Sequence, residues 1–466
     1  MPRTTVQLRE DAQAIWQAAV RAVDSRQLVM QQVRLTGQNL HIGDDVVALD
    51  GVRRIIVVGA GKAGAGMAEG IEAALGTGCM SAKDLVGWVN VPADCVRPLA
   101  RIRLHGARPP GLNEPTEAGV RGAQQILQLV SAANSEDLCI CLVSGGGSAL
   151  LPAPVAGISL EDKQAVTKHL SAAGANIVEL NTVRKHLSRI KGGGLARACR
   201  AGRLHTLIVS DVLGDPLEVI ASGPTVLERS LPRDALAVLE RFSAREAGIS
   251  PRVFAHLQTA EHASSDFRES RLPRIVNLII GNNAVAVDAA GMEAERRGYA
   301  HAMVSSGTSE GPAEEIGTHL ARMARHMRAE SGPDCLITGG EPVVRLAPAH
   351  LRGLGGRNQQ LVLAALIELL KPGAAHPSSL DEAKSPLTGV TILSGGTDGE
   401  DGPTDAAGAW IDASVLAPMR AQQLDPASFL GRNDAYHFFQ AVGTLLKTGP
   451  THTNVCDVRV VTVQRE

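Results

Sequence analysis

The stretch RRIIVVGAGKAGAGMAEGI, residues 53–71, decides the fold of this 466-residue chain. Four apolar residues, 55–58, run into Gly59, Gly61 and Gly64, which match the G-x-G-x-x-G fingerprint of dinucleotide-binding turns. A strand, a glycine turn and a helix in this order are typical of a doubly wound α/β domain. The match alone does not separate a nicotinamide-binding turn from a site at which Lys62 holds another anion.

The second predicted strand argues against nicotinamide. A nicotinamide-binding turn needs an acidic residue at the end of that strand to hold the ribose 2′-hydroxyl. Here the strand ends with the neutral Asn90, while Asp84 precedes it and Asp94 follows a proline. Lys62 lies at a helix start, where a positive charge is unfavourable unless it contacts an anion. The sequence therefore favours phosphate or carboxylate binding over nicotinamide, with a solvated lysine as the third interpretation.

Apolar runs and helical patterns alternate along the whole chain. Helical segments separate the predicted strands, which indicates parallel sheet covered on both faces. The predicted strands of the first series are 54–58, 85–91, 137–143 and 205–210. Those of the second series are 275–280, 299–304, 334–338, 342–346 and 390–393.

A polar stretch at 232–272 divides the two series and reads as a helical linker region. We predict an α/β protein of two α/β domains: a Rossmann-like three-layer α/β/α domain at 1–245 and a second α/β domain at 270–466. A loop rich in Pro, Ser and Ala is predicted between Lys371 and Pro386 and is expected to be mobile.

Composition excludes several classes of partner. The chain has 46 Lys+Arg against 48 Asp+Glu, so its charge does not draw it to nucleic acid or to an anionic membrane. No run of eighteen apolar residues occurs, which excludes a membrane span on length. Seven scattered cysteines and the lack of an apolar leader pattern indicate a reducing compartment. We expect the cytoplasm, leave a mitochondrial address and a homo-oligomer open, and expect small-molecule substrates.

Six glycine-rich loops follow predicted strands. Ligands of open α/β sheets bind at the carboxyl ends of the strands, where glycine lets backbone N–H groups approach an anion. These loops are 59–66, 144–151, 191–196, 338–342, 353–359 and 394–410.

The second and third loops carry candidate anion-binding groups. Three glycines in a row have a high entropic cost for a plain turn, although a tight turn remains the alternative. The candidate residues here are Ser144, Gly145, Gly146, Gly147, Ser148, Lys191, Gly192 and Gly193. Arg184, Lys185, Arg189 and Lys191 precede or open the third loop, and we expect one or two of them to contact ligand.

Acidic candidates lie in several loops. Asp211 and Asp215 follow a strand on either side of Gly214, a pattern that suits Mg²⁺ binding or general-base work, with an Asx turn as the alternative. In the second half, Glu341 and Asp398 supply further acids.

One basic candidate stands in the second half. Arg357 lies directly before a helical pattern at 358–370, where an arginine suggests a bidentate anion partner. No Walker A motif or protein-kinase motif set is present, and no G-x-S-x-G elbow precedes a plausible triad, so none of the common phosphotransferases or hydrolases is indicated.

Seven motifs together resemble one family. The chain is similar over nearly its whole length to the two-domain glycerate 2-kinases whose C-terminal half is called the MOFRL domain, and most of all to the animal-type D-glycerate kinases. The motifs are VVGAGKA (57–63), VSGGGSALLPAP (143–154), ELNTVRKHLSRIKGGGLA (179–196), SDVLGDPLEVIASGPTV (210–226), GGEPVVRL (339–346), GGRNQ (355–359) and LSGGTDGEDGPTDAAGAW (393–410).

The resemblance implies a reaction and roles. ATP and D-glycerate would meet in a cleft between the domains, and the γ-phosphoryl group would pass to the 2-hydroxyl with Mg²⁺, giving 2-phosphoglycerate. Lys62 and Arg357 would be the cations at the reacting phosphate. Asp211, or else Asp215, would orient the hydroxyl or hold Mg²⁺. Further binding residues implied are the loop at 144–148, Lys191, Gly192, Gly193, Asp215, Glu341, Asn358 and Asp398.

Two positions depart from the family pattern. Many relatives read G-D-D where this chain has Gly214-Asp215-Pro216, and others have an acid where Gln360 stands. These departures leave the set of metal ligands open. The alternative functions are an NAD(P)H-dependent hydroxypyruvate reductase, suggested by the fingerprint, and a non-catalytic sensor of phosphate ligands.

Overall fold

The computed structural model describes residues 2–112, 114–263, 272–371 and 385–465. The loop predicted between Lys371 and Pro386 falls almost wholly outside them. The strands are β1 (Val33–Thr36), β2 (Asn39–Ile42), β3 (Asp45–Ala48), β4 (Ile55–Ala60), β5 (Val86–Pro92), β6 (Ile102–Arg108), β7 (Leu138–Ser144), β8 (Arg203–Val209), β9 (Arg274–Gly281), β10 (His301–Ser305), β11 (Cys335–Gly340), β12 (Val390–Gly396), β13 (Gly408–Ile411), β14 (Leu445–Leu446) and β15 (Asp457–Val463).

Helices connect most of these strands. The α-helices are α1 (Thr5–Ala22), α2 (Ser25–Gln32), α3 (Gly64–Ala82), α4 (Glu117–Ser131), α5 (Gly147–Leu150), α6 (Leu160–Ala172), α7 (Ile177–His186), α8 (Gly194–Ala198), α9 (Pro232–Arg241), α10 (Pro251–Ala263), α11 (Asn283–Arg296), α12 (Ala313–Ala329), α13 (Arg357–Leu370), α14 (Leu416–Ala421), α15 (Pro426–Gly431) and α16 (Ala435–Val442). Among the described residues, no helix combines the length and the apolarity that a membrane span requires.

The chain forms two compact units, which we name by their main part of the sequence. The N-terminal unit is Ser25–Ile280, and the C-terminal unit is Met1–Asp24 together with Gly281–Glu466. The amphipathic helix α1 packs on β12, β15 and α11, so it belongs to the C-terminal unit. Its Trp16 is buried and donates from Nε1 to the carbonyl of Gly395 at 3.1 Å.

The N-terminal unit has a Rossmann-type sheet. Its six strands lie in the order β6-β5-β4-β7-β8-β9, and the pairs from β6 to β8 are parallel. Numbered along the chain, this is the order 3-2-1-4-5-6 of the doubly wound dinucleotide folds. The predicted fold class is therefore confirmed.

Burial explains why helices cover this sheet. Strands β4 and β7 are buried along their whole length, as expected of parallel strands with helices on both faces. One face carries Ile56 and Val58, which share a core cluster with residues Ala123, Ile126 and Val130 of α4. Smaller helices α6, α7, α9 and α10 form a separate apolar cluster.

Several elements differ from those that the sequence predicted. Strand β9, expected to open the second series, is an edge strand of the first sheet. Residues 342–346, predicted as a strand, form only an isolated bridge between Val343 and Pro312. Strand β6 and the antiparallel sheet of β1, β2 and β3 were not predicted. The linker region contains α9 and α10, in agreement with its helical interpretation.

The C-terminal unit holds a mixed sheet in the order β10-β11-β15-β12-β13-β14. Only β10 and β11 run parallel, and the pairs that follow are antiparallel. The strand latest in the sequence, β15, therefore lies in the middle of the sheet and is buried throughout. Helices α12, α13 and α16 pack over the apolar residues of β12, β13 and β15.

Candidate active site

The two first glycine loops meet at the switch point of the N-terminal sheet. They follow β4 and β7, the neighbours between which the strand order reverses, and ligands of such sheets bind there. Lys62 and Ala63 donate from their amides to the carbonyl of Gly145 at 2.9 Å and to Oγ of Ser144 at 3.0 Å. A Cβ on Gly61 would lie 1.9 Å from Oγ of Ser144. The first turn is thus fastened to the second loop, and these two amides are not available to a phosphate.

Asn90, at the end of β5, has a structural environment. The residue is fully buried, and its Nδ2 donates to the carbonyl of Leu150 at 2.8 Å. Its Oδ1 accepts from Nε1 of Trp88 at 3.1 Å, and a Cβ on Gly122 would lie 2.1 Å from it. Nicotinamide-binding proteins have an acidic residue at this position to hold the ribose. In this chain the position is occupied by Asn90, whose side-chain amide is buried and hydrogen-bonded.

The second loop offers the backbone donors that the first one lacks. Within the part of the chain that the structure describes, the amides of Gly145 and Gly146 donate to no acceptor. Gly146 is left-handed, with φ +73°, the conformation that turns successive N–H groups into an anion-binding nest. A Cβ on Gly146 would lie 3.3 Å from Nη2 of Arg108 and 3.6 Å from Cγ of Lys62. The guanidinium of Arg108 and the side-chain stem of Lys62 therefore lie beside this nest.

Arg108 is a candidate that the sequence did not reveal. It is the last residue of β6 and only 5% exposed. Since β6 itself was not predicted, Arg108 was not recognised as the last residue of a strand. The signal was its place before Pro109 and Pro110, where a strand of a parallel sheet ends.

Ser148, at the far end of the same loop, lies among basic side chains. Nζ of Lys191 donates to the Ser148 carbonyl at 2.8 Å and to its Oγ at 2.5 Å. Nη2 of Arg184 donates to the same Oγ, which also lies 3.0 Å from Oγ of Ser222. Nζ of Lys163, nearby, donates to the carbonyl of Leu187 at 2.9 Å. We call Lys163, Arg184 and Lys191 the basic cluster.

Burial lowers the pKa of all three groups of the basic cluster, and repulsion between them lowers it further at the two lysines. Burial, with Arg184 as a second cause, lowers the pKa of Lys163 to about 7. Burial and then the charges of Arg184 and Lys163 lower the pKa of Lys191 well below its ordinary value. Among the described residues, no carboxylate acts on the pKa of any of the three. An external anion would offset the repulsion within such a cluster.

The amides of the third glycine loop are engaged inside the protein. Gly192 donates to the carbonyl of Ser222 at 2.9 Å, and Gly193 donates to that of Gly223 at 2.7 Å. The two glycines hold the chain in the left-handed turn before α8. The side chain of Lys191, by contrast, contacts Ser148 in the second loop.

Asp211 and Asp215 follow β8 and are half-buried. Asp215 has φ +54° and donates from its amide to the carbonyl of Val212 at 3.1 Å, so it forms part of a turn. The described residues contain no group of three His, Cys, Asp or Glu side chains arranged as metal ligands. Mg²⁺ commonly takes only one or two protein carboxylates and completes its shell with water and phosphate oxygens, so either aspartate fits it.

In the C-terminal unit, Arg357 lies at the centre of an ion-pair network. Its Nε and Nη2 donate to the two carboxylate oxygens of Asp457 at 2.6 and 3.0 Å. Nη1 donates to Oε1 of Glu341 at 2.7 Å. Burial opposes the charged form, but the two carboxylates outweigh it and raise the pKa of Arg357. Burial also raises the pKa of Glu341.

The start of α13 already has an internal anion. Asp401 accepts from the amides of Asn358 and Gln359 at 3.0 and 2.8 Å, as a capping carboxylate does. Its burial raises its pKa to about 7. Oδ1 of Asn358 accepts from Ser394 at 2.5 Å, so this residue lies inside the unit's own network. Asp398 is half-buried and accepts from the amide of Glu400 at 3.1 Å.

Asp457 and Asp401 are site residues that sequence reasoning missed. Asp401 stood in the glycine-rich motif 394–410, where the alternation of acids and glycines did not reveal which acid caps a helix. Asp457 lies 100 residues from Arg357, in a strand whose place beside β11 and β12 only the structure shows.

The reversed strand order, the glycine nest and the buried basic groups define a Rossmann-like protein whose backbone and side-chain donors suit a small anion. A family model described as a domain of unknown function, DUF4147, matches residues 11–258, and the MOFRL family model matches residues 334–457. The chain belongs to the glycerate kinase family with a C-terminal MOFRL domain.

Individual relatives agree with this membership. Glycerate kinase of Rattus norvegicus is 36% identical over 97% of this chain and 93% of its own length. A protein of Agrobacterium vitis named putative hydroxypyruvate reductase is 39% identical over 88% of this chain and 99% of its own length. The crystal structure of a glycerate kinase from Thermotoga maritima superposes with a TM-score of 0.78, at 32% identity, over 98% of this chain and 99% of its own.

Proposed function

We propose that this protein is an ATP-dependent glycerate 2-kinase, which transfers the γ-phosphoryl group of ATP to the 2-hydroxyl of D-glycerate and forms 2-phosphoglycerate. One observation carries the proposal beyond family membership. In the second glycine loop, the amides of Gly145 and Gly146 have no acceptor among the described residues, and Nη2 of Arg108 and the side-chain stem of Lys62 lie beside them. Backbone donors beside one guanidinium and the stem of a lysine suit the oxygens of a polyphosphate.

Phosphoryl transfer asks the protein mainly to position the reactants and to place cations on the equatorial oxygens. In this proposal Lys62 contacts the transferred phosphoryl group, and the nest with Arg108 holds the adjoining phosphate. Arg357 is the second catalytic cation. Asp457 is fully buried and anchors one side of its guanidinium, whereas the Glu341 side chain is 41% exposed. Glu341 is thus the partner that a phosphate oxygen would replace.

Mg²⁺ enters as part of the substrate, bound to the nucleotide. Asp211 would hold it or accept the proton of the 2-hydroxyl, and we prefer Asp211 to Asp215 because Asp215 belongs to a turn with a left-handed backbone. When bound, Mg²⁺ neutralises charge that develops on the phosphate oxygens.

The reductase alternative has less support from the residues. Some relatives carry that name, but Asn90 replaces the ribose-binding acid and is itself buried and hydrogen-bonded. The two amides of the fingerprint turn at 62 and 63 are used inside the protein. Both features disfavour a nicotinamide dinucleotide on β4.

Product analysis tests the proposal. The full chain is incubated with MgATP and D-glycerate, and 2- and 3-phosphoglycerate are resolved by NMR. We expect 2-phosphoglycerate and ADP in equal amounts; ADP without phosphoglycerate, or 3-phosphoglycerate alone, would contradict the proposal. Parallel reactions with NADH or NADPH and hydroxypyruvate test the alternative, and L-glycerate tests stereochemical preference.

A further inference from the structure

The hydroxyl of Ser148 has a fully determined set of hydrogen bonds. Arg184 and the protonated form of Lys191 can only donate, so in that form they occupy the two lone pairs of its Oγ. Its one hydrogen must then go to Oγ of Ser222, 3.0 Å away. The hydrogen of Ser222 goes in turn to Oδ1 of Asn181 at 3.1 Å. This chain fixes the direction in which both basic side chains approach the loop.

The basic cluster has donors left over. Lys191 donates two of its three Nζ hydrogens to Ser148. The side chains of Arg184 and Lys163 each donate a single hydrogen bond to the described residues. Lys163 and Lys191 are 7% and 3% exposed. Burying basic groups without an anion costs stability, and folded proteins rarely accept this cost unless a ligand supplies the charge.

The backbone beside the cluster is strained. Ala221 and Ser222 both have left-handed φ values, +50° and +61°, which are unfavourable for residues other than glycine. Strain of this kind concentrates at ligand sites. Here it holds Ser222 against Ser148.

We infer that Lys163, Arg184 and Lys191 bind the carboxylate of the hydroxy acid substrate, next to the nest that receives phosphate; this inference rests on the proposed kinase function. A carboxylate suits the cluster because its two oxygens match the fork of an arginine and it is small enough for a buried site. A nucleotide is too large for a site lined by side chains as buried as those of Lys163 and Lys191.

The arrangement also accounts for the choice of hydroxyl. The nest and Ser148 belong to one loop of five residues, 144–148, so a carboxylate at Ser148 lies only a few ångströms from a phosphate at Gly146. The 2-hydroxyl is attached to the carbon next to the carboxylate, whereas the 3-hydroxyl is one carbon further away. The cluster thereby favours transfer to the 2-hydroxyl and selects 2-hydroxy carboxylates as a class.

Calorimetric titration of the full chain with D-glycerate, without nucleotide, tests the inference. We expect Arg184→Met and Lys191→Met each to raise the Kd for D-glycerate by about 10- to 100-fold, the range for a lost charge-assisted hydrogen bond. Arg184→Lys should recover part of the affinity. Lys185→Met is the matched control, because Lys185 is already paired with Glu228 at 2.6 Å and should leave the Kd unchanged.

Two further probes separate carboxylate from other anions. Glycerol, which lacks the carboxylate, should not bind measurably, and the affinity for inorganic phosphate should be the same in wild type and in Arg184→Met. If the variant loses phosphate and keeps D-glycerate, the cluster is a phosphate site and the inference is wrong.

Thermal melting separates this role from a structural one. Without ligand, Lys191→Met should keep or raise the Tm, because it removes a buried basic group that has no anion; a fall of several degrees would show a structural role and overturn the inference. The outcomes also distinguish the two proposals. Arg184-dependent binding of D-glycerate without kinase turnover would remove only the kinase assignment, whereas turnover with an unchanged Kd and KM for D-glycerate in Arg184→Met would remove only this inference.

Discussion

Arg357 donates two hydrogen bonds to Asp457, from Nε at 2.6 Å and from Nη2 at 3.0 Å. Asp457 is fully buried at the first position of β15, so this bidentate pair fixes the arginine at the start of α13. Because both groups are charged, removing Arg357 takes the arginine counterion from the buried Asp457, whereas removing Asp457 leaves Arg357 paired with Glu341 alone. The pair therefore contributes to stability and positions the proposed catalytic cation.

Substitutions at this pair should separate the two contributions. Arg357→Met should lower kcat by roughly 10³-fold and destabilise the unit by about 3–5 kcal/mol, since Asp457 keeps a buried, uncompensated charge. The double variant Arg357→Met with Asp457→Asn should recover most of the stability and none of the turnover. Urea unfolding and steady-state kinetics measure the two effects, and recovered turnover in the double variant would exclude Arg357 as a catalytic group.

Lys62 and Arg108 should differ in how they affect turnover. Lys62→Met removes the cation assigned to the transferred group and should lower kcat by about 10³-fold or more. Arg108→Met should mainly raise the KM for ATP, by about 10- to 100-fold, because Arg108 is assigned to the adjoining phosphate. Lys83→Met is the control: Lys83 donates to the carbonyls of Leu49 and Val52, away from the glycine loops. Full activity of Lys62→Met would contradict the assignment.

Asn90→Asp should not create a nicotinamide site. The new carboxylate would be buried and would face the carbonyl of Leu150, to which Asn90 now donates. We expect a loss of about 1–3 kcal/mol in the free energy of unfolding and no binding of NADH in a fluorescence titration. Measurable NADH binding by this variant, or by the wild type, would revive the reductase hypothesis.

The affinity for D-glycerate should fall as the pH rises above 7. The free-state pKa of Lys163 is about 7, and its neighbours Arg184 and Lys191 are basic, so a bound carboxylate must raise this pKa. The anion therefore binds the protonated lysine more tightly: affinity is complete below pH 7 and declines above it, by at most about tenfold per pH unit, until the bound-state pKa is passed. Calorimetry from pH 6 to 9 measures the decline. Lys163→Met should bind weakly at every pH, and an undiminished pH dependence in this variant would assign the titration to another group.

The sequence predicts the N-terminal sheet well because its signals are local. Strands β4, β5, β7 and β8 are apolar runs within a few residues of the predicted bounds, and the missing acid at Asn90 already disfavours nicotinamide. Strand β6 has only the pattern IRLHGAR, in which polar and apolar residues mix. Because β6 was not predicted, Arg108 at its end was not recognised as a candidate site residue.

Long-range pairing explains most of what could not be predicted. A run of three glycines occurs in the second and the third loop, but its amides are used differently: those of Gly145 and Gly146 have no acceptor among the described residues, whereas those of Gly192 and Gly193 are occupied. Which acceptors approach a loop depends on neighbours far away in the chain, such as Ser222 and Gly223. Likewise, the pattern of α1 predicts a buried stripe but does not say which sheet covers it.

The central position of β15 has a consequence for biosynthesis. In the folded sheet β15 lies between β11 and β12, but during translation it is made after both of them. The hydrogen-bonding edges of β11 and β12 therefore stay open until residues 457–463 have been made. A nascent chain stopped before that point carries the whole N-terminal unit but lacks Asp457, the buried partner of Arg357. The C-terminal unit therefore completes its native sheet only after residues 457–463 have been made, and until then the open edges of β11 and β12 are accessible to chaperones.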